Sequence, residues 1–196
     1  MNTLVTETSE NGEEYIIDIY LKLASNRMLF IYEPIDEKVA TDLVASLILK
    51  DFENSEEKIT LIINSGGGDI RSVFMLYDMM QMIQAPIETI CIGQAAFESI
   101  IILCAGTPGM RFATKNSIFC VSQLIHDKMS YSDLTDAKSV LDQIKKDNKR
   151  KMEILAKHTG HTLSKVMKDF EKKQFMTAQQ ALKYGFIDKI ISHNKR

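Results

Sequence analysis

The chain has 196 residues, 45% of them hydrophobic and 26% charged, enough for one globular domain with a sizeable core. Its formal net charge of -2 supplies no basic field, so nucleic acid is not the expected partner, and the longest apolar runs fall short of a membrane span. The three cysteines lie inside apolar runs with no CxxC pair and the four histidines form no HExxH pattern, so neither a disulfide frame nor a metal or other cofactor is expected.

The opening stretch, MNTLVTETSENGEEY, lacks the basic and apolar segments of a signal peptide. The expected compartment is the cytosol, or an organelle stroma if a transit peptide has been removed. Residues 1–17 read as an arm or hairpin. RMLFI (27–31) reads as a strand, and DEKVATDLVASLILKDF (36–52) sets Val39, Leu43, Leu47 and Ile48 at helical spacing. ITLIIN (59–64) is a short buried strand and SGGG (65–68) its turn. Asp69 is a good N-cap for a helix whose face is Ile70, Val73, Leu76, Met80 and Ile83.

PIETICIG (86–93) is the next strand, broken by Gly93. Residues 96–105 are largely apolar all round, which predicts a buried helix. MRFA (110–113) and SIFCVSQ (117–123) read as two more strands. Strands and helices that alternate with short connections imply βαβ units and a largely parallel sheet, covered on both faces.

From 132 to 158 the pattern is one long amphipathic helix. Leu134, Ala137, Leu141, Ile144, Met152 and Leu155 form its stripe, while KKDNKRK (145–151) and acids occupy the other faces. At about 1.5 Å per residue it exceeds about 35 Å and projects beyond a domain of this size. Its stripe either packs back on its own sheet or serves as an oligomer handle. TLSKVMKDFEKK (162–173) and TAQQALKYG (177–185) follow, with Gly185 as a helix stop, then a strand FIDKII (186–191).

Chemistry is expected around CIGQAAFES (91–99), which reads as a strand-to-helix elbow of the kind that presents a nucleophile. Its tip is Phe97. The glycines of INSGGGDI, Gly66, Gly67 and Gly68, lie between a strand and a helix, where backbone N–H groups point at an anion. They lack the P-loop lysine and the dinucleotide spacing. Beside an elbow, such a turn can form an oxyanion hole.

The stretches GEEYIIDIYLKL, PIDEKVATDLVASL, INSGGG, MQMIQAPIETICIGQAA, AGTPGMRFATKNS, EILAKHTG and FMTAQQALKYGFIDKI together resemble the proteolytic subunit of the Clp ATP-dependent protease, from about residue 5 to 191. The resemblance implies an α/β, ClpP/crotonase-like domain of repeated ββα units over 18–196. It further implies a protruding handle helix at 132–158 and an axial pore arm at 1–17 that needs no self-cleaved propeptide. The family's glycine motif is usually INSPGG and its elbow GQAASMG, and its members carry a Ser–His–Asp triad. On this chain the triad positions hold Phe97, Ser122 and Lys173.

Each replacement removes a role. Phe97 has no lone pair for attack, Ser122 is no base near neutral pH, and Lys173 puts a cation where a carboxylate orients an imidazolium. Gly67, Gly68 and Glu98 occupy the oxyanion-hole positions. Glu98 either sets its carboxylate against a developing negative charge or turns to solvent. Ser99 and His126 are candidates for a relocated pair, though Ser99 is rotated off the elbow tip and His126 reads as a loop residue. LIHDKMSYS (124–132) lacks the glycines of the family's substrate-aligning strand.

The assembly apparatus fares better. Family subunits form seven-membered rings stacked in pairs. Leu134, Leu141 and Ile144 of the handle, with Glu171 and Lys172, fall at the family's ring-to-ring contacts. The resemblance therefore implies a catalytically degenerate, ClpR-type subunit that assembles with active ClpP-type subunits. AAA+ unfoldase docking is weakened where Thr60, Ile62 and Met82 replace common aromatics. Two other readings are a free-standing homo-oligomeric scaffold or inhibitor of Clp rings, and a crotonase-like acyl-CoA enzyme with Glu98 as its acid.

Overall fold

The computed structural model describes residues 3–8, 11–123 and 134–191, with side chains taken from residue 138 in the last segment. The stretch 124–132, His126, the predicted helix start at Ser132 and the side chain of Leu134 lie outside the described residues.

The N-terminal arm forms a hairpin in which β1 (Leu4–Thr8) and β2 (Glu14–Asp18) pair antiparallel, apart from the main sheet. The next helix, α1 (Ile19–Ser25), has no counterpart in the sequence pattern. None of its residues is fully buried, and Ala24 packs partly against the core; the Asp18 carboxylate starts the helix by accepting from the Tyr20 N–H at 2.8 Å. Then come β3 (Met28–Ile31), α2 (Glu37–Glu53), β4 (Ile59–Ser65) and α3 (Ile70–Met82). Asp69 caps α3 as expected, accepting from the Ser72 N–H at 2.8 Å.

Next is β5 (Ile87–Ala96), which corrects the expected break at Gly93: the strand continues through it. Gly93 has φ +94, and an added Cβ would stand 2.6 Å from Asn64 Oδ1. Only glycine fits that backbone there. The bend lets one strand serve two partners. Thr89–Cys91 pair with β6 (Arg111–Thr114) and Gln94–Ala96 with β7 (Ile118–Val121), both parallel. After β5 comes α4 (Ser99–Cys104), every residue of which is buried; it starts three residues later than expected, because Ala96 ends β5, Phe97 is left-handed and Glu98 is the N-cap. Burial of Ile100, Ile101, Ile102 and Leu103 contributes about 2 kcal/mol each.

The chain closes with α5 (Leu134–Thr159), α6 (Leu163–Asp169), β8 (Gln174–Thr177), α7 (Ala178–Tyr184) and β9 (Lys189–Ile191). The main sheet has the order β3-β4-β5-β6-β9, all parallel; β7 lies beside the far end of β5, and β8 pairs antiparallel with β7. The final strand is shorter than expected because Phe186 and Ile187 are buried in the core instead. The α/β class expected from the alternating pattern is what forms.

The long helix divides in two. In its second half Lys151, Met152, Ile154, Leu155 and Ala156 are buried. In its first half Leu141 is 50% exposed and Ile144 only partly covered, so the predicted stripe has cover over one half among the described residues. Lys151 corrects the placement of the whole basic run on solvent faces.

Arg111 ties the C-terminal elements to the sheet. It is buried and donates to Asp188 through Nε (2.9 Å) and Nη2 (2.5 Å), and through Nη1 to the carbonyls of His158 and Gly185 (both 3.0 Å). Nearby, His158 Nε2 lies 3.0 Å from Tyr77 Oη. Burial, then Lys157 and Arg111, push the His158 pKa from 6.5 down to about 4. The unfolded chain therefore takes up this proton first as pH falls, and stability drops between about pH 6.5 and 4. Urea unfolding should show a loss of roughly 1 kcal/mol from pH 7.5 to 5, allowing for screening of the partly exposed ring. His158→Gln should flatten that slope; an unchanged slope would assign it to other groups.

Candidate functional site

The elbow follows from where β5 ends. After Ala96 the chain turns sharply at Phe97, whose φ of +53 is left-handed. For a residue with a side chain that geometry costs about 1–2 kcal/mol and persists only where neighbours impose it. The Phe97 N–H donates to the Cys120 carbonyl at 2.7 Å. Ser99 pins the other side. Its buried Oγ accepts from the Ala96 N–H at 2.9 Å and lies 2.7 Å from the Ala96 carbonyl and 3.0 Å from that of Ser65. Ser99 thus staples β4 to β5; it is sealed from solvent and fully engaged, not a displaced nucleophile.

The three triad positions come together around the elbow tip. Lys173 Nζ stands over the Phe97 ring, 4.8 Å from its centre, and 4.9 Å from that of Phe175. Val121 and Gln174 are the last register pair of β7 and β8, and Ser122 and Lys173 lie one residue beyond those strand ends. Ser122 is buried and donates through Oγ to the Gln123 carbonyl at 2.8 Å. The cluster is an aromatic ring, a hydroxyl turned onto its own backbone and an ammonium held by cation–π attraction. No serine stands at the tip, and neither a histidine nor an aspartate stands at the two positions beside it.

The described histidines are engaged with other groups. His158 bonds Tyr77, and the His161 ring packs 4.5 Å from that of Tyr184. The cysteines are held in their thiol form. All three are free and buried, and burial pushes the thiols of Cys91 and Cys104 up to about 12. Cys120, on β7 beside the elbow, is also raised by burial, against the opposing pull of Lys173 and Lys151.

The glycine turn faces this elbow, and Glu98 decides its state. The side chain does not turn to solvent: it is 14% exposed, and Oε2 accepts from the Gly68 N–H at 3.4 Å. The other oxygen, Oε1, lies 3.1 Å from Lys151 Nζ. A Cβ added to Gly67 would stand 2.7 Å from Oε2 and 3.0 Å from Phe97 Cβ. Gly67, Gly68 and Glu98 therefore lie together, with the Glu98 carboxylate against the turn.

Lys151 is the site residue that sequence reasoning missed. A basic run normally marks a solvated face, and that habit hid it. The signal was positional: Lys151 falls seven residues after Ile144 and four before Leu155, on the apolar stripe itself. Of the expected assembly residues, Glu171 and Lys172 are exposed between α6 and β8, and Leu141 is half exposed on α5. Thr60 is buried, with its hydroxyl donating to Glu88 Oε1 at 3.0 Å, while Met82 is 74% exposed. No helix among the described residues is long and apolar enough to cross a membrane. A protein-family model described as Clp protease matches residues 10–194.

Proposed function

The chain belongs to the Clp protease family, a family of serine peptidases, and we propose that it serves there as a non-catalytic ring subunit that assembles with active ClpP-type subunits and modulates them. The observation that carries this reading is the elbow tip. The backbone keeps the strained geometry that presents a nucleophile, yet the group presented is Phe97 beneath Lys173. Retained geometry without chemistry fits a subunit whose shape is needed and whose catalysis is not.

The handle supports the same reading. The outer half of α5 exposes Leu141 with little cover from its own chain, which leaves a stripe for another subunit. Glu171 and Lys172 are exposed and free to face a second ring. The proposed compartment is the cytosol or an equivalent reducing space, in keeping with three free cysteines. An acyl-CoA enzyme using Glu98 fits less well, because that carboxylate is bound to Lys151 and Gly68.

Native mass spectrometry of the tagged protein from its own host tests the proposal. The expected result is a mixed ring containing a catalytically complete Clp subunit. A ring or smaller oligomer of this chain alone would overturn the mixed-ring assignment and favour a free-standing scaffold.

A further inference from the structure

Lys151 sits at the end of the most basic run of the chain, yet its side chain is 0% exposed. Burying an ammonium is costly unless an anion shares the site, and an apolar pair of similar size avoids that cost altogether. Burial pulls the Lys151 pKa below the usual lysine range, and Glu98 opposes the pull. One carboxylate answers two donors at once. Glu98 Oε1 faces Lys151 Nζ at 3.1 Å and Oε2 faces the Gly68 N–H at 3.4 Å. Gly67 walls the pocket closely enough that a methyl group there would meet Oε2 at 2.7 Å. This is the donor set of an anion site: a cation, a backbone N–H and a glycine wall that admits an oxygen.

We infer that Lys151, the Gly68 N–H and the Gly67 wall form a carboxylate-binding site whose resident ligand is the chain's own Glu98. While Glu98 is seated, no acyl or peptide oxygen can occupy the glycine turn. The elbow is then closed twice, by Phe97 at the point of attack and by Glu98 at the point of charge stabilisation. Without the Glu98 side chain, the site takes a small carboxylate such as acetate or formate. The inference is independent of the ring assignment, because its test reads ligand-dependent stability and not assembly.

The test is thermal unfolding of Glu98→Ala in sodium chloride and in sodium acetate at equal ionic strength and pH, with acetamide as the neutral control. In chloride the midpoint should fall on the order of 10 °C, because an uncompensated buried charge remains. Acetate should recover most of that loss saturably, while acetamide should recover none. Wild type, with its site filled, should show no acetate-specific shift. Glu98→Ala combined with Lys151→Met removes both charges and should be stable in chloride and indifferent to acetate. If Glu98→Ala does not fold in chloride, folding regained in acetate alone is the same expected result. A Glu98→Ala midpoint equal to wild type, a loss that no carboxylate recovers, or an equal acetate response from the double variant would each overturn the inference.

Discussion

Phe97→Ser is expected to produce no measurable hydrolysis of a fluorogenic peptide and no labelling by a fluorophosphonate. The backbone at position 97 already holds the left-handed turn that presents a side chain from an elbow, so the new hydroxyl would be well placed. It would have no base. Ser122 directs its Oγ to its own neighbour's carbonyl, and Lys173 would bring an ammonium toward the serine. A triad member without its partners works roughly 10⁶-fold below the complete set, because the three act as a unit.

The triple variant with Ser122→His and Lys173→Asp restores all three residue types on strands that already neighbour one another. It should still fall at least about 100-fold below an active family subunit, since the glycine turn holds the Glu98 carboxylate where a negative oxygen must develop. Intact-mass detection of the fluorophosphonate adduct checks both variants. Robust labelling of the single variant would reveal another base and overturn the role assignment at the elbow.

What could be read from the sequence divides along physical lines. Asp69 was legible as an N-cap because capping is local: one carboxylate, one N–H, three residues apart. The buried helix within 96–105 was legible because a largely apolar segment has no other stable place, and residues 99–104 form it. The resemblance singled out Phe97, Ser122 and Lys173, and the pairing of β5 with β7 and of β7 with β8 sets the strand ends that carry them side by side. The strand through Gly93 was not legible, because the reason it continues is a change of partner from β6 to β7, a fact of the sheet and not of the segment. Helix α1 escaped because it is seven residues long and buries none of them fully. The ion pair between Glu98 and Lys151 spans 53 residues and joins two charges that composition alone assigns to solvent. Only their positions, one on an elbow and one on an apolar stripe, set them apart.

Gly68→Ala is expected to destabilise the protein by about 3 kcal/mol, lowering the melting midpoint by roughly 10 °C. The cause is space. A Cβ at Gly68 would lie 2.3 Å from the Ile35 carbonyl oxygen, 2.4 Å from its nitrogen and 2.7 Å from its carbonyl carbon. Those are backbone atoms, and they are fixed: the Ile35 N–H donates to the Gly67 carbonyl and the Ile35 carbonyl accepts from the Asp69 N–H, both at 2.9 Å. No rotamer change can relieve the clash. The turn would have to part from the segment before α2, taking the Asp69 cap and the Gly68 N–H with it. Gly109→Ala is the matched control. Its φ is +87 with nothing within 4 Å, so it carries only the strain of the backbone, about 1 kcal/mol. Differential scanning calorimetry of the two variants separates space from strain. Equal shifts would mean that the turn yields to a methyl group. A turn that yields could not hold its N–H groups in a fixed cradle, so the rigidity on which the Glu98 seat depends would be absent.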